Sequence, residues 1–214
     1  MMQLNWMGKS HMNTYFQFIQ CDYEGCKHLA LTGEKVCWHH LSEQIIFVDN
    51  IIETAQHSPL HEWILANVDF SNRDVSGVDF TYACLTHANL SHANLSGAIL
   101  TRANLDSANL THASLSGANL ELAILGRADI SHANLEGSNM QRCNLVSATA
   151  VAANCSGAKM FYSRPGNADF SEAVFTGADI TRAIFRGAKL RNADLRGSIG
   201  QANYDRADLT GAQQ

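Results

Sequence analysis

Ala83-Cys-Leu-Thr-His87, Ala88-Asn-Leu-Ser-His92, Ala93-Asn-Leu-Ser-Gly97 and Ala98-Ile-Leu-Thr-Arg102 spell one five-residue phrase four times, and the phrase runs on to Leu135. With the Leu as the centre, centres fall on every multiple of five from Leu65 to Leu195, which makes 27 slots. All but Pro165 hold Leu, Phe, Ile, Val, Met, Ala or Cys, and the slot two residues before the centre is Ala in 20 of the 27. A period this strict is an internal repeat and governs the rest of the reading.

Apolar residues recur in steps of two, then three, then two. A straight strand needs steps of two, so each three would turn the chain to its other face. On a helix, a five-residue step carries the centre roughly 140° around the axis, and no stripe forms. Both inward slots stay inward if a short extended piece alternates with a turn, coiling the chain around its own core. The Ser, Thr, Gly, Asn, His and Arg that follow the centres suit turns.

The number of repeats per coil follows from a longer period. Gly occupies the second position after the centre at 77, 97, 117, 137, 157, 177 and 197, every 20 residues, with Gly187 as one further in-phase case. His92, His112 and His132 keep the same interval, and Arg102, Arg142 and Arg182 recur at twice that interval. Four repeats therefore make one coil with four sides. The Gly lane predicts one special corner that needs a positive φ or has no room for Cβ. About seven coils at roughly 4.8 Å give a rod roughly 34 Å long.

The Ala-(Asp/Asn)-Leu-(Ser/Thr)-x phrase resembles the pentapeptide repeat proteins over about 150 of the 214 residues. The resemblance implies an all-β solenoid, a right-handed quadrilateral β-helix. It implies no single function: gyrase-protecting DNA mimics and bacterial effectors both occur among such proteins, and fold is not function.

The chain is 46% hydrophobic, 16% charged and carries a formal charge of −5. Residues 60–214 hold 14 acids and 12 bases, a balance of −2. That is too even for an electrostatic mimic of duplex DNA and too acidic for a simple nucleic-acid binder. No apolar run approaches the length of a membrane span. The first 20 residues lack a signal-peptide pattern. A cytoplasmic location is expected. Met12 offers an alternative start to Met1, and 1–13 reads as a disordered N-terminus.

Residues 14–41 read as a separate module. An aromatic, β-prone run, Tyr15-Phe-Gln-Phe-Ile-Gln20, leads into Cys21-x4-Cys26-x10-Cys37-x2-His40. Two thiolates from a tight Glu24-Gly25 turn, and Cys37 with His40 from the start of a helix, suit tetrahedral Zn²⁺ in a closed structural site. His39 and His28 are alternative fourth ligands. Leu29, Ala30, Leu31 and Val36 supply a small core. Clustered cysteines argue for metal rather than disulfides in a reducing compartment.

Residues 42–60 predict a helix and linker, with Ser42 as N-cap and Ile45, Val48, Ile51 and Ile52 on one stripe, widened by Ile46 and Phe47. The helix is expected to cover the N-terminal end of the repeat domain, 61–214. Pro165 predicts a bulge. After Gly200 the phase slips by one residue, and no helix or charged tail covers the last repeats. A homodimer through Tyr204 and Leu209 is the expected solution.

No nucleophile–base pair or phosphate-cradling loop stands out, so no enzyme activity is expected. The regular Asp and Asn before the centres are expected to point outward in ladders. Tyr82, Arg102, Leu122, Arg142, Tyr162 and Arg182, with Phe161 and Ile99 on the same side, form a candidate partner surface, since Tyr and Arg dominate interface energetics. The expected function is a protein-binding scaffold or adaptor with an unidentified protein partner. Protection of gyrase or topoisomerase by duplex mimicry is the alternative; another is nucleic-acid binding through the zinc module. The module is poor in phosphate-binding charge, with Lys27 and Lys35 against Asp22, Glu24 and Glu34.

Overall fold

The computed structural model describes residues 20–28, 30–34 and 36–214. The expected N-terminal disorder, most of the aromatic run before Cys21, Leu29 and Lys35 lie outside the described residues. From residue 60 onward the chain is a solenoid with a 20-residue coil. Isolated parallel bridges join Ile64 to Cys84, Asp69 to Asn89, Asp74 to Asn94 and Asp79 to Ile99, and Cys84 then pairs with Asn104. Four bridging positions per coil make the four sides.

A single repeat shows why the phrase has this composition. Leu90 N–H donates to Asn109 O at 2.7 Å, and His92 N–H to Thr111 O at 2.9 Å, so both point along the axis to the next coil. Asn89 N–H reaches back to Val68 O, and Ala93 N–H closes the turn onto Leu90 O at 3.1 Å. With φ +57° at His92 this is a type II turn. The remaining donor, the N–H just after the centre, meets the side chain of the residue before it: Ser91 N–H to Asn89 Oδ1, 3.2 Å. That closes the hydrogen-bond account of the backbone. Asp or Asn before the centre is thus an acceptor built into each turn. These side chains also ladder outward, as expected, with Asn89 Nδ2 donating to Asp69 and Asn109 Nδ2 to Asn89.

Inside, the centres and the Ala slots form one column of buried side chains, nearly all with no exposure between Phe80 and Leu190. Small Ala on alternate inward slots leaves room for Leu and Phe opposite.

The special Gly corner is corrected. The second position of every repeat has a positive φ, whether Gly117 (+64°), Ser107 (+59°) or Arg127 (+56°). A methyl group on Gly97, Gly117 or Gly137 would meet nothing within 4 Å. All four corners use the same turn, and the Gly lane marks no tighter one. The Pro165 bulge is also corrected. Its ring is buried in a centre slot and the count of five is kept. Lacking an N–H, Pro165 cannot donate to Ile184 O, but Ile184 N–H still bonds Ser163 O at 3.0 Å. The slip after Gly200 is present: the last bridges, Ile184 to Asn203, Lys189 to Asp208 and Asp194 to Gln213, span 19 residues.

Ahead of the rod lie a 3-10 helix, Trp38–His40, and α1, Gln44–Ala55. Ser42 is not the N-cap. Leu41 is extended, Gln44 Nε2 ties back to Trp38 O at 2.8 Å, and Glu43 takes the capping position without a side-chain bond. The expected stripe is narrower than read: Val48 and Ile51 are buried, Phe47 and Ile52 half-buried, but Ile45 is 70% and Ile46 53% exposed. Val48, Ile51 and Leu31 belong to the same apolar cluster as Leu60, Leu65 and the rod interior. Arg73 Nη1 pairs with Asp49 at 2.9 Å, linking α1 to the first coil. Among the described residues no helix is long and apolar enough to cross a membrane.

Candidate metal centre and the tyrosine–arginine corner

The turn closed by Cys26 N–H to Tyr23 O, with Gly25 at φ +78°, puts Cys21 and Cys26 side by side. The 3-10 helix brings in Cys37 and His40, with His40 N–H bonding Cys37 O. The four ligand atoms of Cys21, Cys26, Cys37 and His40 lie within 4.8 Å of one another. Cys21 Sγ is 3.3 Å and Cys37 Sγ 3.5 Å from His40 Nδ1, and Cys26 Sγ is 3.8 Å from Cys37 Sγ. Ligands roughly 2.3 Å (S) and 2.05 Å (N) from a tetrahedral centre sit about 3.8 Å and 3.5 Å apart. The measured separations are close to those edges, so the set can hold a metal ion. Burial pushes the Cys37 thiol up. Burial also opposes ionisation of Cys21, but bonds from the Cys37 and Tyr23 backbone and from His40 and Cys26 outweigh it, and its pKa falls to about 6. The Tyr23 ring stacks on His40 at 3.9 Å and fixes its plane. His28 and His39 form a second set around Cys37, stacked on each other at 4.9 Å. The six cysteines are all free thiols.

The candidate partner residues occupy one corner on successive coils. Tyr82, Arg102, Leu122, Arg142, Tyr162 and Arg182 share the positive-φ position, between +55° and +60°. Arg102 lies over the Tyr82 ring, Cζ 5.5 Å from its centroid, and donates to the Tyr82 hydroxyl at 3.1 Å. Arg182 repeats this over Tyr162 at 5.2 Å and hydrogen-bonds its hydroxyl. Phe161 packs edge-on against Tyr162 at 4.4 Å.

Two comparisons place the chain among known proteins. The model of the family described as pentapeptide repeats matches in 8 copies over residues 64–102, 88–127, 128–161 and 166–199. The chain belongs to the pentapeptide repeat family. Its rod is accordingly a right-handed quadrilateral β-helix. Similar solved structures include HetL, a pentapeptide repeat protein involved in heterocyst differentiation regulation from the cyanobacterium Nostoc sp. strain PCC 7120, at 29% identity over 73% of this chain and 89% of that one, TM-score 0.32. QnrB1, a plasmid-mediated fluoroquinolone resistance protein, is 22% identical over 72% and 82%, TM-score 0.45. A pentapeptide repeat protein from the Arabidopsis thaliana thylakoid lumen is 35% identical over 44% and 66%, TM-score 0.28. No curated protein matches the chain.

In this pentapeptide repeat rod the large apolar side chains that remain exposed are Tyr82, Ile99, Ile124, Tyr162, Ile184 and Ile199. Each lies on the corner just described or on one of the two faces that meet there. The other two faces carry Asp69, Asn89, Asn109, Asp129, Thr149, Asp169 and Lys189 on one, and Asp74, Asn94, Ser114, Asn134, Asn154, Val174 and Asp194 on the other. Ile124 and Ile184 were missed in reading the sequence. The signal was there: an Ile where the turn wants Asp or Asn. The His92, His112 and His132 rings stack at 4.8 Å and 5°, but their ligand atoms do not gather around one point. Tyr204 and Leu209 sit in the last coil, half-buried, with Tyr204 stacked on Phe185 at 5.5 Å.

Proposed function

We propose that the chain is a non-enzymatic protein-binding scaffold: a rigid rod whose Tyr82–Arg182 corner and its two flanking faces contact a protein partner, fronted by a structural zinc module. The observation that carries this reading is the confinement of the rod's exposed large apolar side chains to one corner and its neighbours. Tyr and Arg anchors among apolar neighbours are the composition of an interface core. A stacked Arg–Tyr pair loses less rotamer freedom on binding than either side chain alone. Replacing Tyr82, Arg102, Tyr162 and Arg182 by Ala should abolish capture of a cellular partner. Replacing Asn109, Asn134 and Asn154 on the polar faces should not. Equal capture by both variants would discard the corner as the interface.

Zinc at Cys21, Cys26, Cys37 and His40 is supported by three thiolates and one imidazole at tetrahedral spacing, a soft donor set with no open position for catalysis. The module would then hold α1 over the first coil, where it caps the rod. The purified, reduced protein should carry one Zn²⁺ per chain, and Cys26→Ser should lose it. Clearly substoichiometric zinc would sink the assignment. Free thiols fit a reducing compartment such as the cytoplasm. A homodimer through the C-terminal coil completes the reading.

A further inference from the structure

Residues 164–167, Arg-Pro-Gly-Asn, keep the repeat's count but not its character. Arg164, Gly166 and Asn167 line a groove of about 410 Å³ together with Val146, Ile184, Arg186, Gly187 and Arg206. Gly166 and Gly187 add no side chains here, and the Asn167 amide lies over Gly187. Three guanidiniums border it from successive coils. Arg164 makes no ion pair among the described residues, while Arg186 and Arg206 share Asp205 at 3.2 Å and 3.9 Å.

The backbone adds donors. In most repeats the N–H after the centre is accepted by the Asp or Asn before it, as in Val146 N–H to Asn144 Oδ1, one coil below. At the next two coils that slot is Arg164 and then Ile184. The N–H groups of Gly166 and Arg186 have no acceptor among the described residues. By register they point outward beside the three guanidiniums. Three Arg against Asp205 leave a formal charge of +2.

We propose that this groove binds a phosphate monoester, its dianionic group held by the guanidiniums of Arg164, Arg186 and Arg206 and by the N–H groups of Gly166 and Arg186. Arg forks match tetrahedral oxyanions bidentately, and paired backbone donors complete such sites. A single carboxylate would leave one positive charge and at least two donors unmet. Val146 and Ile184 provide apolar walls for the group that carries the phosphate. The groove shares Ile184 with a face that flanks the Tyr82–Arg182 corner, and it includes no residue of the metal centre.

The test is a titration followed by amide NMR, with inorganic phosphate, adenosine monophosphate and a short phosphoserine peptide as separate probes. The Gly166 and Arg186 amide resonances should shift and saturate. Arg164→Ala should weaken binding about tenfold. Ile184→Asn, which returns a side-chain acceptor to Arg186 N–H, should weaken it with every charge intact. Arg191→Ala, at another corner, should change nothing. Tighter binding of the nucleotide than of the peptide would identify a small metabolite as the source. The reverse order would identify a phosphorylated protein. No saturable shift with any probe at about 10 mM would overturn the proposal, as would unchanged affinity in Arg164→Ala with the fold intact by circular dichroism.

Discussion

A methyl group on Gly200 would collide with Thr181 Oγ1 and lie 2.8 Å from Thr181 Cα. This is where the coil shortens from 20 to 19 residues, and the chain cuts the corner against the coil below. Gly200 also has φ +85°, so both space and conformation demand glycine. Gly200→Ala should destabilise the last coil by about 2 kcal/mol or more. Gly117→Ala has the same sign of φ but open space around the new methyl, and should cost only about 1 kcal/mol. Hydrogen exchange of the 203–213 amides is the direct readout. Equal protection in the two variants would refute a special contact at Gly200.

Ser138 and Ser163 replace Ala in the inward slot, are fully buried, and have hydroxyls without a hydrogen-bond partner. An unpaired buried hydroxyl costs about 1–3 kcal/mol. Ser138→Ala and Ser163→Ala restore the repeat's own residue without changing backbone or volume much. Each should raise the midpoint of thermal unfolding by a few degrees. A fall in either midpoint would mean that the hydroxyl is satisfied in solution.

How far the sequence could be read depends on what each residue type reports. The period of five and the slip at Gly200 follow from side-chain identity at inward slots, where burial tolerates little choice. Cys21, Cys26, Cys37 and His40 were legible because ligand spacing is short-range. The Gly lane gave the right coil length for a reason that fails, since Ser107 and Arg127 adopt the same φ as Gly117. The turn role of Asn89 and its equivalents was not legible, because it rests on which way one N–H points. The exposed ends of Ile45 and Ile46 were not either: helical spacing marks a stripe but not how much of it a neighbouring surface covers.

Duplex mimicry needs a continuous acidic face. The bridge positions of the two polar faces begin at Asp69 and Asp74 but run on through Asn89, Asn109, Asn94 and Ser114, and one includes Lys189. Several acids are also neutralised: Asp169 by Lys189 at 3.1 Å and Asp194 by Arg196 at 2.7 Å. The protein should therefore give no protection of gyrase against a quinolone in a supercoiling assay. Protection at stoichiometric amounts would reverse the ranking of scaffold over mimic.

Among the described residues, the coil that ends at Gln213 has backbone and apolar groups without partners. In interior repeats the centre's N–H donates to the following coil, as Leu190 does to Asp208 O at 2.7 Å. The N–H groups of Tyr204 and Leu209 have no such acceptor among the described residues. Their side chains are half-buried where interior centres are fully buried, and burial against Phe185 pushes the Tyr204 phenol up. A two-fold partner presenting the same coil would cover strand edge and apolar surface together, with the metal modules at the far ends. Leu209→Glu places a charge in that surface, and burying it in the dimer would cost its desolvation. The variant should be a folded monomer by light scattering, with its β signal retained. The unchanged chain should be a dimer at tens of micromolar. A monomer there would refute the dimer and leave the last coil to a different protein.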